Sequence, residues 1–202
     1  MAKRFDKVYQ FKVTLQGIRP PIWRRIQVPR NYSFWDLHVA IQDAMGWWDS
    51  HLHAFRVANP SHGDRDLIGI PDEDRFEGDP EYLAGWMVPI DKYFAEPGDS
   101  ASYEYDFGDG WEHEVVLDKI ISREPKQKYP RCLAGKQKCP PEDCGGPWGY
   151  ANMLKILADP DHEEHDGMLT WVGGSYDPRL FDCEKVRFDD PRKRWKQTFA
   201  EP

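Results

Sequence analysis

The spacing of apolar residues in the first part of the chain follows two successive strand patterns. Residues 8–15 (VYQFKVTL) place an apolar side chain at every second position, and residues 22–28 do the same with Ile22, Ile26 and Val28. This period of two is typical of half-buried strands. The segment GIRPP between them carries the glycine and prolines of a turn. The pattern therefore predicts an antiparallel hairpin.

The period then changes to that of a helix. The apolar positions that share one helical face are Leu37, Ile41, Ala44 and Met45. Ser33 is a good N-terminal cap, and Gly46 is a natural stop. A further strand is predicted at 51–57. The resulting β-β-α-β order predicts an α+β fold with a mixed or antiparallel sheet, and it is the way a β-grasp (ubiquitin-like) fold opens.

The segment YEYDFGDGWEHEVVL at 103–117 alternates on both sides of its glycines, which predicts a second hairpin. GDG would be a three-residue connection, with glycine at both ends allowing positive φ angles. His113 lies on the apolar face and is predicted to be a buried imidazole. Asp106 and Asp109 fit turn residues that bind their own backbone. The alternative is a functional loop, because carboxylates, aromatic rings and a histidine meet there.

The remaining segments complete one predicted domain over residues 1–202. Residues 59–81 form a surface excursion and 124–147 a connector rich in proline and lysine; helices follow near Trp148 and at 161–172, and they extend the fold at its C-terminal end. The predicted parts are a sheet core at 5–122, a loop plus helical lobe at 123–182 and a basic tail at 183–202.

Composition narrows the functional classes. Aromatic residues make up 14% of the 202 residues, with nine tryptophans, so the chain is expected to fold. A formal net charge of −8 disfavours general binding to nucleic acid. Lysines and arginines nevertheless cluster at 123–138 and in the tail, so a nucleic-acid patch stays an alternative. No apolar run has the length of a signal or membrane segment, which predicts a cytoplasmic protein without membrane contact.

The cysteines suggest one possible metal site. Cys132, Cys139 and Cys144 lie within thirteen residues, and Cys183 is distant. In the cytoplasm they would be reduced thiols or metal ligands. Cys139-x4-Cys144 has a spacing that zinc sites use, and Cys132 with Cys183 or His113 could complete a tetrahedral set. The simpler interpretation is buried thiols in a loop pinned by prolines.

Two histidine pairs have spacings that could hold a metal. His51 and His53 would project from one face of the predicted strand, and His162 and His165 would share one face of a helix. Chance placement at a sheet edge explains the first pair more simply. The acidic surroundings of the second pair favour a solvated helix.

Five blocks occur together along the chain. They are PPIWRRIQVP (20–29), FWDLHVAIQDAMGWWDSHLHAF (34–55), YEYDFGDGWEHEV (103–115), YPRCLAGKQKCPPEDCGGPWGY (129–150) and YDPRLFD (176–182). With these blocks the chain resembles the plasmid pRiA4b ORF-3-like family from about residue 5 to residue 182. The resemblance implies a small intracellular α+β protein of bacteria or archaea, of a kind often described as plasmid- or transposon-borne. The sequence after Asp182 departs from the family pattern.

The resemblance carries over motif positions but no known role for them. They are Tyr105, Asp106, Gly108, Asp109, Trp111, His113, Pro140, Pro141, Glu142, Asp143, Gly145 and Gly146. No hydrolase, metalloprotease or phosphate-loop signature is present in the sequence.

The sequence therefore favours a non-enzymatic binding or accessory module, with the mobile-element association that the resemblance implies. Its site would be the loop edge, defined as residues 46–53, 106–113 and 140–148. An acidic rim with aromatic rings suits a protein partner that has a basic patch. The candidate binding residues are Trp47, His51, His53, Tyr105, Asp106, Asp109, Trp111, His113, Glu142 and Asp143.

Two alternatives stay open. The first is a metal-binding protein or metal-dependent enzyme, in which Glu142 or Asp143 would either support the metal ligands by hydrogen bonds or act as the general base. Its predicted zinc ligands are Cys132, Cys139, Cys144 and His113. Apart from that zinc ion, no cofactor is predicted. The second alternative is an accessory protein that binds nucleic acid through 123–138 and the tail.

Overall fold

A computed structural model describes residues 5–199 with the exception of 73, 75, 77 and 79. Within these residues the chain forms eight strands and four α-helices. Their bounds are β1 Lys7–Leu15, β2 Ile22–Pro29, α1 Phe34–Met45, β3 His53–Ala58, β4 Arg65–Gly69, β5 Tyr82–Ala84, β6 Ser100–Tyr105, β7 Trp111–Ser122, β8 Arg131–Lys136, α2 Gly146–Ala158, α3 His165–Trp171 and α4 Pro191–Phe199. Short 3-10 turns lie at Ile90–Lys92 and Cys183–Lys185.

All eight strands belong to one sheet, in the order β5-β4-β3-β6-β7-β1-β2-β8. Neighbouring strands are antiparallel except β4 and β5, which are parallel. The predicted α+β class and mixed sheet are therefore confirmed. The β-grasp arrangement is not confirmed, since β1 has antiparallel neighbours, β2 and β7, on both sides.

The first hairpin and α1 form as their patterns predict. β1 and β2 pair from Val8↔Pro29 to Leu15↔Ile22. Ser33 caps α1 through the amide of Asp36, and Gly46 ends the helix with φ 90°. The apolar faces of the sheet, α1 and α2 share one buried cluster. Each fully buried large side chain in such a core stabilises the fold by about 2 kcal/mol.

Several elements differ from the prediction. The connector 124–147 contains β8, which pairs with β2 at the edge of the sheet. Five of its six residues are half-buried, so β8 lacks a clear alternation of buried and exposed positions. The excursion 59–81 contains β4, and α3 is shorter than predicted. None of the helices in the described part of the chain is long and apolar enough to cross a membrane.

The basic tail contains α4, which packs on α1. Trp195 lies against Trp35 and Trp86, with ring centroids 5.3 and 4.4 Å away. Nη2 of Arg194 lies 2.7 Å from Oδ1 of Asp43, and its Nη1 lies 3.5 Å from Oδ2 of Asp49. One positive charge of the basic tail is thus used inside the fold. This packing brings the tail next to residue 49 of the loop edge.

Candidate functional site

The first and third segments of the loop edge are hydrogen-bonded to each other. Nε1 of Trp47 donates to the carbonyl of Pro140 at 2.9 Å. The backbone amide of Trp48 donates to Oε2 of Glu142 at 3.0 Å. Because Trp47 is buried and follows the stop of α1 directly, the helix end fixes where the PPEDCGG loop docks.

The second and third segments meet through two glycines. The amide of Gly145 donates to Oδ2 of Asp109 at 3.2 Å. Gly146 has φ 65°, and a Cβ built on it would lie 2.3 Å from the carbonyl oxygen of Asp109. Only glycine tolerates both that φ and that approach. The hairpin turn and the PPEDCGG loop are therefore in backbone contact, which joins the two motifs that the sequence singled out.

Tyr105 connects all three segments at their centre. Its hydroxyl donates to Oε1 of Glu142 and accepts from the amide of Ser50 at 3.0 Å. The Trp47 ring stacks on the Tyr105 ring, with centroids 5.0 Å apart. Burial, followed by the hydrogen bond and charge of Glu142, raises the pKa of Tyr105 above its ordinary value. The phenol therefore stays a donor at neutral pH.

The hairpin connection is longer than the predicted GDG turn. The last strand pair is Tyr105↔Trp111, so the connection runs over residues 106–110. Its left-handed residues are Asp106 (φ 56°) and Gly110 (φ 65°), and Gly108 is not one of them. Oδ1 of Asp106 accepts from the amides of Gly108 at 3.0 Å and Asp109 at 3.3 Å. Asp106 is thus a turn residue, and aspartate tolerates the left-handed region better than most side chains.

His113 and Trp111 face inward, as their alternation predicts. Both are about 1% exposed. Nδ1 of His113 lies 3.1 Å from the carbonyl of Trp111 and 3.2 Å from that of Tyr103, so Nδ1 carries the proton. Burial lowers the pKa of His113 to about 4. His113 therefore packs beneath Trp47: the two rings are in edge-to-face contact, with centroids 5.3 Å apart.

This pKa makes stability depend on pH. An unfolded histidine titrates near pH 6.5, so below that value the unfolded state binds a proton that folded His113 refuses. The free energy of unfolding should therefore be highest above pH 6.5 and fall as the pH drops towards 4. His113 should account for a loss of about 2 kcal/mol between pH 7 and pH 4.5.

Urea unfolding of the wild type and of His113→Gln at both pH values measures this contribution. Glutamine stays neutral and keeps a donor, so the variant should lose about 2 kcal/mol less than the wild type over the interval. Equal losses in the two proteins would show that His113 is not held neutral by burial.

His53 does not join His51 at the surface. It begins β3 and is buried, with its ring stacked on that of His38 at 3.4 Å and 9° between planes. Burial, with a smaller contribution from His38, lowers the pKa of His53 well below its usual value. His51 precedes the strand, so the two-residue alternation assumed in the sequence does not apply to it. The two histidines face different surroundings.

A network of buried polar side chains, here called the buried relay, lies behind the loop edge, and no residue pattern in the sequence predicts it. Nε2 of His38 lies 2.7 Å from Oδ1 of Asp49, and its Nδ1 lies 2.8 Å from the hydroxyl of Tyr103. That hydroxyl also accepts from Nε2 of Gln42 at 2.8 Å. His38 lies in the helical run of α1, where polar positions usually face solvent. The relay fixes the loop that carries Trp47 and Trp48.

His51, Asp106 and Asp143 come together from the three segments. Nε2 of His51 lies 3.0 Å from Oδ1 of Asp143 and 3.6 Å from Oδ2 of Asp106. The possible ligand atoms of these three side chains all lie within 4.8 Å of one another, which is close enough for one metal ion to contact them. Among the described residues, no other group of three or more His, Cys, Asp or Glu side chains meets this criterion. All three residues belong to the predicted binding set.

The predicted cysteine ligands do not form such a group among the described residues. Sγ of Cys132 contacts the carbonyl of Ala134, and Sγ of Cys183 contacts that of Leu133, both at 3.6 Å. Burial raises the pKa of Cys132 to about 11 and that of Cys139 to about 12. Cys132 lies in β8, Cys139 comes just before the PPEDCGG loop and Cys144 lies within that loop. The zinc site built on them stays a prediction.

The comparison with known proteins gives the chain its family. A family model described as "Plasmid pRiA4b ORF-3-like protein" matches residues 7–185. The chain belongs to the plasmid pRiA4b ORF-3-like family. The matched range contains the whole loop edge, and it ends before α4 begins. The resemblance drawn from the five sequence blocks is thereby confirmed.

The chain is also similar to two proteins of comparable length. "Uncharacterized protein y4hQ" of Sinorhizobium fredii (strain NBRC 101917 / NGR234) is 37% identical over 193 residues, which cover 93% of this chain and 94% of that protein. The crystal structure of the protein of unknown function MM3350 from Methanosarcina mazei Go1 is 46% identical and has a TM-score of 0.82. The structural match covers 92% of this chain and 100% of the MM3350 chain. Neither description names a substrate or a cofactor.

Proposed function

We propose that this protein is a non-enzymatic binding module that holds a protein partner at the loop edge. The observation that carries the proposal is a set of large apolar side chains that the three segments leave exposed. They are Trp48 (84% exposed), Leu52 (55%), Phe107 (46%) and Trp148 (89%). Exposed apolar groups gathered in one region commonly mark protein-interaction sites.

The chemistry around these side chains favours a basic partner. Asp143 is largely exposed, and Glu142 and Asp109 are half-exposed beside the tryptophans. Indole faces attract lysine and arginine, and carboxylates pair with the same cations. The net charge of −8 adds a long-range attraction for a basic surface. A segment with lysine or arginine next to an apolar side chain matches this edge.

Backbone conformation also supports a functional role for the edge. Each segment holds one aspartate in the left-handed region: Asp49 (φ 64°), Asp106 (φ 56°) and Asp143 (φ 58°). Strained conformations of this kind concentrate at binding and active sites, because the surrounding contacts must maintain them. Here the buried relay and the glycine contacts do so. The edge is therefore rigid before a partner arrives, which lowers the entropy cost of binding.

Site-specific photocrosslinking tests the proposal in living cells. A photoreactive phenylalanine analogue at position 48 or 148 should yield a discrete protein adduct. The matched control is position 180, because Leu180 is 65% exposed and lies outside the loop edge. The adduct should weaken when Glu142→Gln is added, since that change removes a negative charge at the edge. Equal adducts from positions 48, 148 and 180 would contradict the proposal.

Binding to nucleic acid and a link to mobile elements stay predictions. In the tail, Arg194 already pairs with Asp43 and Asp49, which removes one cation from a phosphate-binding surface. A gel-shift titration at low salt checks the segment 123–138. Phosphate binding requires affinity that falls steeply as salt rises.

A further inference from the structure

We propose that His51, Asp106 and Asp143 bind one divalent transition-metal ion at the centre of the loop edge. The proposed ligand atoms are Nε2 of His51, Oδ2 of Asp106 and Oδ1 of Asp143, all within 4.8 Å of one another. This inference goes beyond the proposed function, because the metal ion would bind whether or not a protein partner is present. It also places the metal elsewhere than the cysteines.

The strongest support is the state of the His51 ring nitrogen. Nε2 is buried, and among the described residues it has no hydrogen-bond partner of acceptable geometry. Oxygens of Asp143 and Asp106 nevertheless lie 3.0 and 3.6 Å from it. A hydrogen bond joins one donor and one acceptor in a nearly linear geometry, whereas a metal ion is bound by several ligand atoms that surround one point. The Nε2 atom and the two carboxylate oxygens converge without forming a hydrogen bond of good geometry, which is the arrangement expected of metal ligands.

The separations agree with ligands of one ion. Zinc bonds to nitrogen and oxygen are about 2.1 Å long. Two such ligands lie about 3.0 Å apart when they subtend a right angle at the metal, and about 3.4 Å apart at the tetrahedral angle. The observed 3.0 and 3.6 Å are close to these values. Small movements of exposed Asp143 would complete the set.

The carboxylate of Asp106 is oriented before any ion arrives. Its Oδ1 accepts from the amides of Gly108 and Asp109, so its Oδ2 is left facing His51. Outer hydrogen bonds of this kind orient metal ligands and raise affinity. The side chain of Asp143 is 72% exposed, so the outer side of the site faces solvent. Three protein ligands leave at least one position for water or for a group on a partner.

The ligand set indicates the class of ion. One imidazole with two carboxylates suits Zn²⁺ or Mn²⁺. Mg²⁺ and Ca²⁺ prefer oxygen ligands alone, and a thiophilic ion would prefer the cysteines. We therefore expect Zn²⁺ and Mn²⁺ to bind more tightly than Mg²⁺.

Isothermal titration of the full chain, first treated with a chelator, tests the proposal with ZnCl₂, MnCl₂ and MgCl₂. We expect about one equivalent of Zn²⁺ to bind. His51→Gln and Asp143→Asn should each weaken it by about tenfold or more. Asparagine tolerates the left-handed backbone, so Asp143→Asn should fold. The matched controls are His62→Gln, a 52% exposed histidine near one carboxylate, and Cys132→Ser. Neither should change Zn²⁺ affinity.

Cobalt gives a second readout that does not depend on affinity. Co²⁺ held by nitrogen and oxygen should show weak visible bands without the near-ultraviolet charge-transfer band of a cobalt–thiolate bond.

Two results would overturn the proposal. The first is that the titration detects no Zn²⁺ binding at concentrations up to about 1 mM. The second is a cobalt–thiolate charge-transfer band in the Co²⁺-loaded wild type that disappears in Cys132→Ser. Crosslinking at position 48 in the presence of chelator keeps the partner proposal separately testable.

Discussion

Replacing Arg194 with alanine should lower the free energy of unfolding by about 4 kcal/mol. The side chains of Asp43 and Asp49 are only 6% and 5% exposed, and Arg194 supplies positive charge to both. Removing one partner of a buried ion pair leaves the other charge uncompensated, which costs more than the pair itself contributes. Chemical denaturation monitored by tryptophan fluorescence measures the change. The midpoint of thermal unfolding should fall by about 10 °C.

The control for this variant is Lys193→Ala, which removes an exposed cation from the same helix. It should change stability by less than about 0.5 kcal/mol. Adding Asp43→Asn to Arg194→Ala should restore part of the loss, because an amide needs no opposite charge. If Arg194→Ala is as stable as Lys193→Ala, α4 does not compensate the buried carboxylates.

Replacing Gly146 with alanine should also cost about 4 kcal/mol. The left-handed backbone disfavours any side chain by about 1–2 kcal/mol, and the new Cβ would lie 2.3 Å from the carbonyl oxygen of Asp109. The PPEDCGG loop would have to move away from the hairpin turn. That movement would break the hydrogen bond from Gly145 to Asp109. Urea unfolding measures the loss.

Gly167→Ala is the matched control for this substitution. Gly167 lies in α3, and a Cβ there meets no atom within 4 Å. Alanine should be neutral or stabilising by up to about 1 kcal/mol, since it favours the helix. Equal stability of the two variants would show that the hairpin turn and the PPEDCGG loop are not in backbone contact.

The elements that the sequence predicted well have strong local patterns. The first hairpin shows a clear period of two, and α1 shows a clear period of 3.6 residues. The predicted caps of α1, Ser33 and Gly46, are the observed ones. β8 was missed because an edge strand with half-buried side chains has no such alternation. α4 was missed because its stability comes from Trp195 and Arg194 contacting distant parts of the chain. Local propensity does not record those contacts.

The sequence predicted that the three segments of the loop edge meet, but it did not predict how their side chains are arranged. Sequence motifs indicated the three segments, and the structure joins them through Trp47, Glu142 and Asp109. The spacing of His51 and His53 suggested one shared face, but the strand begins only at His53. The contribution of His38 depends on a ring stack across the sheet and helix. Such pairings arise from tertiary packing, which residue spacing alone cannot show.

The most direct test of the loop edge as a binding site is the affinity of the crosslinked partner for a double variant. The partner, once purified, is titrated into the wild type and into Trp48→Ala with Trp148→Ala at one fixed salt concentration. Both side chains are more than four-fifths exposed, so the double variant should keep its stability. We expect binding to weaken by about thirty-fold or more, which corresponds to about 2 kcal/mol. An affinity within about twofold of the wild type would contradict the claim.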